Sequence, residues 1–170
     1  ETSIKFVKIE AGSSSASVIS TVSDNLNSGI RLVSKDRNFN DPGEKLVLFN
    51  ENGEAFEVTT STDGLTQGSV TQVPIDIPAD SGYGADSHII DSEVAGGFFV
   101  VVVRKDDSSS HPPKLVIYQE GVMESLALNN LPIANIWEIN YVFLPSEGAM
   151  GWIISDGTTV ASTTNLLSWV

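Results

Sequence analysis

The chain of 170 residues contains no cysteine. It can therefore form no disulfide and can bind no zinc through sulfur, and cysteine usage says nothing about its redox compartment. Basic residues are also few, with 9 Lys and Arg against 22 Asp and Glu, so the formal net charge is −13. Because a field of this sign repels phosphate backbones and acidic headgroups, we expect no nucleic-acid partner.

Long hydrophobic runs are absent as well. The longest, residues 94–103, contains two glycines and is too short to span a bilayer, so we expect no membrane insertion. With 41% hydrophobic and 18% charged residues, the composition is that of one globular domain over residues 1–170. The chain begins at Glu1 rather than Met and shows no signal peptide, so we expect a mature product or, as we favour, a domain excised from a longer chain.

Helical periodicity is nearly missing, and short apolar runs alternate with turn residues instead, which indicates an all-β fold. Asn52–Gly53 stands between the strand-like runs Leu46–Phe49 and Ala55–Val58, a strong hairpin signal. A second turn is predicted at Asp156–Gly157. Val73–Ile77 contains a proline, which cannot donate to a ladder, so an edge strand is predicted there.

A repeat suggests the architecture. The segment Lys45–Phe49 is echoed by Lys114–Tyr118, and the strands that open successive units are expected near residues 18, 89 and 141. Repetition of this kind predicts a propeller-like arrangement of about three repeated antiparallel units. Closed propellers usually have about four to eight blades, so a β-sandwich or jelly roll is the alternative.

One loop has the composition of a calcium site. Oxygen-bearing side chains recur through it at Asp36, Asn38, Asn40, Asp41 and Glu44. Ca²⁺ accepts six to eight such oxygens, so we predict that this loop binds Ca²⁺. The spacing departs from an EF-hand, because Asp41 stands where that loop needs glycine. An ordinary turn is the alternative, since the same residue types favour turns.

A second acidic pair, Asp106 and Asp107, falls in the loop that the repeat aligns with residues 36–44. If the units stack around an axis, the two loops lie on one face, and the pair joins the predicted metal ligands. Two solvated turns are the alternative interpretation.

Signals for catalysis are weak. The only imidazoles are those of His88 and His111, and the chain has no G-x-S-x-G elbow. We therefore expect a protein that is not an enzyme.

Exposed aromatic rings are the candidates for ligand contact, because sugar C–H faces stack on such rings. The candidates are Tyr83, Trp137, Tyr141 and Trp169, of which we single out the first three. Tyr83 is preferred because the surrounding glycines predict a position outside the core. Trp152 and Phe98 lie within strands and are predicted to be core.

The Lys45–Phe49 and Lys114–Tyr118 blocks and the Asp36–Glu44 loop, in an acidic, cysteine-free β domain, resemble the receptor-binding distal domain of a vertex spike protein of a marine lipid-containing bacteriophage. The resemblance implies a propeller-like head stabilised by Ca²⁺ that binds a host cell-surface receptor or glycan. It also implies an upstream spike domain in the parent chain and a place on the virion surface or outside the cell. A secreted glycan-processing hydrolase, or a fragment of one, and a structural assembly module are the alternatives.

Overall fold

A computed structural model describes residues 4–9, 12, 14–22, 30–35, 45–50, 53–60, 67–105, 111–119 and 125–170. This part of the chain is mostly strand, with almost no helix, which confirms the predicted all-β class. The strands form a two-stranded ribbon and three larger antiparallel sheets.

The ribbon pairs β1 (Ile4–Ile9) with β2 (Ala16–Val22), and the register shifts between Phe6 and Val7. The strand near residue 18 therefore pairs backward with β1, and the expectation that it opens the first repeated unit is wrong. Residue alternation predicts that a segment is a strand, but it does not show which neighbouring strand that segment pairs with.

The first sheet contains four strands in chain order: β3 (Ile30–Lys35), β4 (Lys45–Asn50), β5 (Glu54–Thr60) and β6 (Gln67–Asp76). The edge strand predicted around Pro74 is confirmed, because β6 lies at one edge of this sheet. The register between β5 and β6 shifts where Glu54 faces Asp76 and Ala55 faces Val73, so Pro74 lies in the irregular stretch. Proline is tolerated at such a place because it needs no ladder partner.

The predicted hairpin between β4 and β5 is confirmed by pairs running from Lys45–Thr59 to Phe49–Ala55. Gly53 in its turn has a φ of 79°, which favours glycine. A Cβ at this position would stand 3.0 Å from Cδ of Pro78. The turn thus packs closely against the start of the only α-helix in the described chain, α1 (Ile77–Ser81).

The second sheet also follows chain order: β7 (Ser87–Ala95), β8 (Phe98–Lys105), β9 (Lys114–Gln119) and β10 (Ser125–Leu128). A short 3-10 turn, Gly84–Asp86, precedes it. Its central strands are buried on both faces, which accounts for their unbroken apolar sequence.

This strand order changes the meaning of the repeat. The block beginning at Lys45 is the second strand of its sheet, whereas the block beginning at Lys114 is the third. The loops at residues 36–44 and 106–110 therefore join non-equivalent pairs of strands, and the repeat no longer argues for a shared acidic face. Both loops lie outside the described residues.

The third sheet has three strands: β11 (Glu138–Leu144), β12 (Ala149–Ser155) and β13 (Val160–Thr163). The predicted turn between β12 and β13 is confirmed, with Gly157 at a φ of 86°. Oδ1 of Asp156 accepts hydrogen bonds from the backbone N–H groups of Thr158 at 2.9 Å and Thr159 at 2.6 Å. Backbone hydrogen bonds between Ser162 and Val170 attach the last residues to β13.

Two apolar clusters flank the second sheet. Phe99, Val101 and Val103 of β8 belong to one cluster, which also contains Phe49 from the first sheet. The alternate residues Val100 and Val102 belong to the other cluster, together with Trp152 and Ile154 from the third sheet. The prediction that Trp152 is core is therefore confirmed, at 3% exposure, whereas Phe98 is only half-buried against the same cluster. Alternation along β8 thus joins the three sheets through two cores.

The opening strands of the three sheets lie near one another, since β3 contacts β7 and β7 contacts β11. No closed barrel or propeller ring is detected among the described strands, so the propeller-like arrangement stays a prediction. A search of the described residues also finds no helix with the length and apolar character needed to cross a membrane.

Candidate ligand-binding groove

A groove with a volume of ≈ 490 Å³ opens where the second sheet meets the C-terminal residues. It has three walls, which we call the proline wall (Pro112–Pro113), the asparagine loop (Asn129–Ala134) and the C-terminal wall (Leu167 and Trp169). This volume lies within the range of small-molecule sites in proteins.

Strand pairing brings the first two walls together. Pro113 immediately precedes β9, and Asn129 immediately follows β10. In the antiparallel pair, Leu115 faces Leu128, so the start of β9 and the end of β10 lie side by side at the same end of the sheet. Neither wall by itself has the sequence of a known binding motif, and only this register places them side by side.

Tyr83 holds the proline wall from the side of the first apolar cluster. Its hydroxyl donates a hydrogen bond to the carbonyl oxygen of Pro112, and its side chain is 8% exposed within the first apolar cluster. Burial raises the pKa of the Tyr83 phenol further above its ordinary value, at which the group is already a protonated donor at neutral pH.

Two further side chains contact the Tyr83 ring. Nζ of Lys114 lies 4.2 Å from the ring centroid and donates a hydrogen bond of 2.6 Å to the carbonyl oxygen of Ser81. The ring of His111 meets that of Tyr83 edge to face, with centroids 5.9 Å apart. The proline wall is thus held between contacts at His111, Pro112 and Lys114, all of which involve Tyr83.

The helix α1 fixes the position of Tyr83. Asp76 caps the helix by accepting a hydrogen bond from the backbone N–H of Ala79 at 3.1 Å, and Gly82 ends it with a left-handed φ of 70°. The Ser81 hydroxyl then accepts a hydrogen bond from the backbone N–H of Tyr83 at 3.2 Å. The expectation that Tyr83 lies outside the core is therefore wrong, because the glycine on either side allows the chain to turn the ring inward.

Below this helix, the fully buried hydroxyl of Tyr118 donates a 2.7 Å hydrogen bond to Oδ2 of Asp80. Burial, and secondly the hydrogen bond to the Asp80 carboxylate, raise the pKa of Tyr118 far above its ordinary value. This bond ties α1 to β9, the strand that follows the proline wall.

Aliphatic side chains anchor the asparagine loop, and one of them, Leu131, packs against the second apolar cluster. Ile133 is buried in the second apolar cluster, whereas the amides of Asn129 and Asn130 are exposed. Each amide carries both a donor and an acceptor, so the loop offers uncharged hydrogen-bonding groups at the rim of the groove.

The C-terminal wall depends on a turn at Asn165. Oδ1 of this residue accepts hydrogen bonds of 2.9 Å from the backbone N–H groups of both Leu167 and Ser168. Leu166, which lies between Asn165 and Leu167, is buried and has a φ of 63°, in the left-handed region that non-glycine residues seldom adopt. The side chain of Leu166 lies in the core, whereas that of the next residue, Leu167, is 65% exposed and lines the groove.

Trp169 contributes the aromatic surface of the groove. Its ring is half-buried against the second apolar cluster. Its indole N–H is buried and has no hydrogen-bond acceptor among the described residues. An unpaired buried donor is destabilising. The Trp169 indole therefore differs from the Tyr83 hydroxyl behind the proline wall, which has a hydrogen-bond acceptor.

The other two aromatic candidates lie elsewhere. Trp137 is 57% exposed, and the Arg104 guanidinium lies 4.1 Å from the centroid of its ring while donating a 2.9 Å hydrogen bond to the carbonyl oxygen of Ile136. Tyr141 is half-buried, with its ring 4.9 Å from that of Trp152. Neither lines the groove, so the structure does not bring Tyr83, Trp137 and Tyr141 together into one site.

The predicted metal ligands all lie outside the described residues: Asp36, Asn38, Asn40, Asp41, Glu44, Asp106 and Asp107. Within the part of the chain that the structure describes, no group of three His, Cys, Asp or Glu side chains is arranged to hold a metal ion.

The groove is not predicted by the sequence, although the residue types of its parts are informative. Trp169 was one of four aromatic candidates, and the adjacent Pro112–Pro113 and Asn129–Asn130 pairs are both typical of surface loops. Nothing in the sequence indicates that these three segments share one surface. Comparison with known proteins adds no assignment, because no family model and no curated protein matches the chain.

Proposed function

We propose that this protein is a recognition domain that binds a glycan of a host-surface receptor in the groove. The observation that carries the proposal is the juxtaposition of the Trp169 ring and the proline rings with the exposed amides of Asn129 and Asn130. A sugar ring presents an apolar C–H face and a rim of hydroxyls, and this groove offers a matching surface for each. Sites of this kind combine apolar walls with a few convergent polar groups.

Preorganisation supports the same proposal. Tyr83 holds the proline wall from inside the core, and Ile133 anchors the asparagine loop. A wall that is ordered before binding loses little conformational entropy when a ligand arrives, which favours affinity in a small site.

The proposal is one of binding without chemistry. The lining residues, all within the described chain, include no nucleophilic or titratable side chain that could act as an acid or a base. A hydrolase would need such groups beside the bound sugar.

The proposal includes the finer architecture and the setting that the resemblance implies. The contacts of β7 with both β3 and β11 support a propeller-like arrangement, because the opening strands of propeller blades surround a common axis. A distal head on a virion or at another exterior location, joined to an upstream spike domain, is the setting in which such a groove would meet host glycans.

Calcium binding by the Asp36–Glu44 loop, with Asp106 and Asp107 as further ligands, belongs to the same proposal. If this loop binds Ca²⁺, the melting temperature with excess Ca²⁺ will exceed that with a chelator, because a ligand of the native state stabilises it. The variant Asp36→Asn should narrow the difference. Coincident melting curves for the wild type would exclude a stabilising calcium site.

The function is tested by applying the labelled domain to an array of neutral, sialylated and sulfated oligosaccharides, followed by calorimetry with any oligosaccharide that binds. We expect Trp169→Ala and Asn130→Ala each to weaken binding roughly tenfold, the equivalent of about 1.4 kcal/mol. Asn130 is exposed, so its replacement leaves the core intact and keeps the test independent of folding.

The matched control is Trp137→Ala, which removes an exposed indole outside the groove. Unchanged affinity of this control supports the groove. Loss of binding in Trp137→Ala with retention in Trp169→Ala would move the site to Trp137, and shortening of the bound oligosaccharide would identify a hydrolase.

A further inference from the structure

The groove contains no charge, although the chain as a whole is strongly acidic. None of its ten lining residues, all of them described, is ionisable: five are aliphatic or aromatic, three are proline and two are asparagine. The formal net charge of the chain is nevertheless −13. A ligand in the groove therefore meets uncharged donors and acceptors while it lies in the field of an anionic protein.

Two described basic side chains of β8 and β9, Arg104 and Lys114, have partners outside the groove lining. Lys114 follows the proline wall, but its ammonium group binds the carbonyl oxygen of Ser81 and lies over the Tyr83 ring. Arg104 lies over Trp137, which does not line the groove. Neither group is placed to neutralise an anion bound beside Trp169.

These observations decide between two classes of saccharide. A sialic acid carboxylate or a sulfate ester entering the groove would lose hydration without meeting a cation, and burial of an unpaired charge is costly. A neutral sugar loses only hydroxyl–water hydrogen bonds, which the asparagine amides can replace. We propose that the groove selects uncharged saccharides and excludes their sialylated or sulfated counterparts, an inference that rests on the proposed glycan-binding function.

The test uses matched pairs, in which each neutral oligosaccharide of the array is compared by calorimetry with its sialylated or sulfated form at 50 and 500 mM NaCl. We expect binding of the neutral member with an affinity that changes less than about twofold between the two salt concentrations, because no ion pair is available to be screened. Equal or stronger binding of the anionic member would overturn the selectivity and leave the proposed function in place. Absence of binding by every glycan would overturn both, so the two failures are distinguishable.

A gain-of-function variant sharpens the test. Ala134 is exposed and lines the groove, so Ala134→Lys places an ammonium group there without disturbing the core. We expect this variant to strengthen binding of the anionic member by about two- to fivefold at low salt, the usual strength of an exposed ion pair. Ala134→Gln is the control of similar length without charge and should produce no gain. Equal gains in both variants would contradict the charge-based selectivity.

Discussion

The proline wall and the C-terminal wall border the same groove but are stabilised in different ways. The proline wall rests on Tyr83, whose hydroxyl, ring and backbone N–H all have partners. The C-terminal wall rests on the Asn165 turn and on backbone bonds between Ser162 and Val170. It also contains two unfavourable features, the left-handed backbone of Leu166 and the unpaired indole N–H of Trp169.

The difference indicates a division of roles. The proline wall is bonded to a buried tyrosine and can move away from it only if that contact in the core breaks, whereas a strained and unpaired segment can rearrange at little cost. We therefore expect the C-terminal wall to adapt to a ligand while the proline wall stays fixed.

The largest effect is expected for Tyr83→Ala. The substitution removes a buried ring together with the hydrogen bond to Pro112, so the free energy of unfolding should fall by about 3–5 kcal/mol. Urea denaturation measures the change. Trp137→Ala, at an exposed ring, serves as the comparison and should cost much less. Similar losses for the two variants would show that Tyr83 does not hold the wall.

Alkaline pH should weaken the same region. The pKa values of Tyr83 and Tyr118 are raised in the folded state, so their contribution to stability is complete below the unfolded pKa of about 10. It is lost as the pH rises towards the folded pKa values, by at most about 1.4 kcal/mol per pH unit for each tyrosine. Urea denaturation at several pH values between 8 and 11 measures how the free energy of unfolding depends on pH. Tyr83→Phe should make the fall in the free energy of unfolding with rising pH less steep.

A pair of conservative substitutions compares the two walls directly. Tyr83→Phe breaks the bond to Pro112 and leaves its carbonyl oxygen without that donor, so we expect a loss of about 1–2 kcal/mol. Trp169→Phe removes a donor that has no partner within the described chain, which offsets the smaller ring, so we expect a change within about 1 kcal/mol. Equal losses measured by urea denaturation would contradict the difference between the walls.

The smallest effect is expected at the turn between β12 and β13, away from both walls. Backbone hydrogen bonds from Thr159 and then Thr158 lower the pKa of Asp156. Its contribution to stability is therefore present above the unfolded pKa of about 3.9 and is lost as the pH falls through the lower folded pKa. Melting temperatures between pH 5 and 2 should show a slight acid-side loss, and Asp156→Asn should reduce it. If Asp156→Asn lowered the free energy of unfolding at neutral pH more than Tyr83→Phe does, the expectation that this turn contributes least to stability would be wrong.

Local features of the fold were predictable because their causes are local. Glycine-containing turns marked the hairpins at Gly53 and Gly157, and Pro74 marked an edge strand. The grouping of strands into sheets was less predictable. The strand near residue 18 joined β1 rather than β3, which shifted the first unit by one strand and removed the argument for a shared acidic face.

The candidate site was predictable only in its residue types. Aromatic rings were expected to matter, and Trp169 does line the groove, but Tyr83 is a buried support rather than an exposed contact. Flanking glycines describe what the backbone can do and do not show whether a ring turns inward or outward. The direction of the ring depends on whether the core offers space for it and an acceptor for its hydroxyl. Here the carbonyl oxygen of Pro112 is that acceptor.

The sequence by itself determined the all-β class, the acidity, the absence of thiol chemistry and the positions of the tight turns, because each depends on composition or on neighbouring residues. Only the tertiary structure decided that the proline wall, the asparagine loop and the C-terminal wall enclose one uncharged groove. The pairing of Leu115 with Leu128 and the burial of Leu166 bring these segments together across more than 50 residues of chain. Contacts at such a separation depend on the packing of whole sheets, which no local pattern encodes.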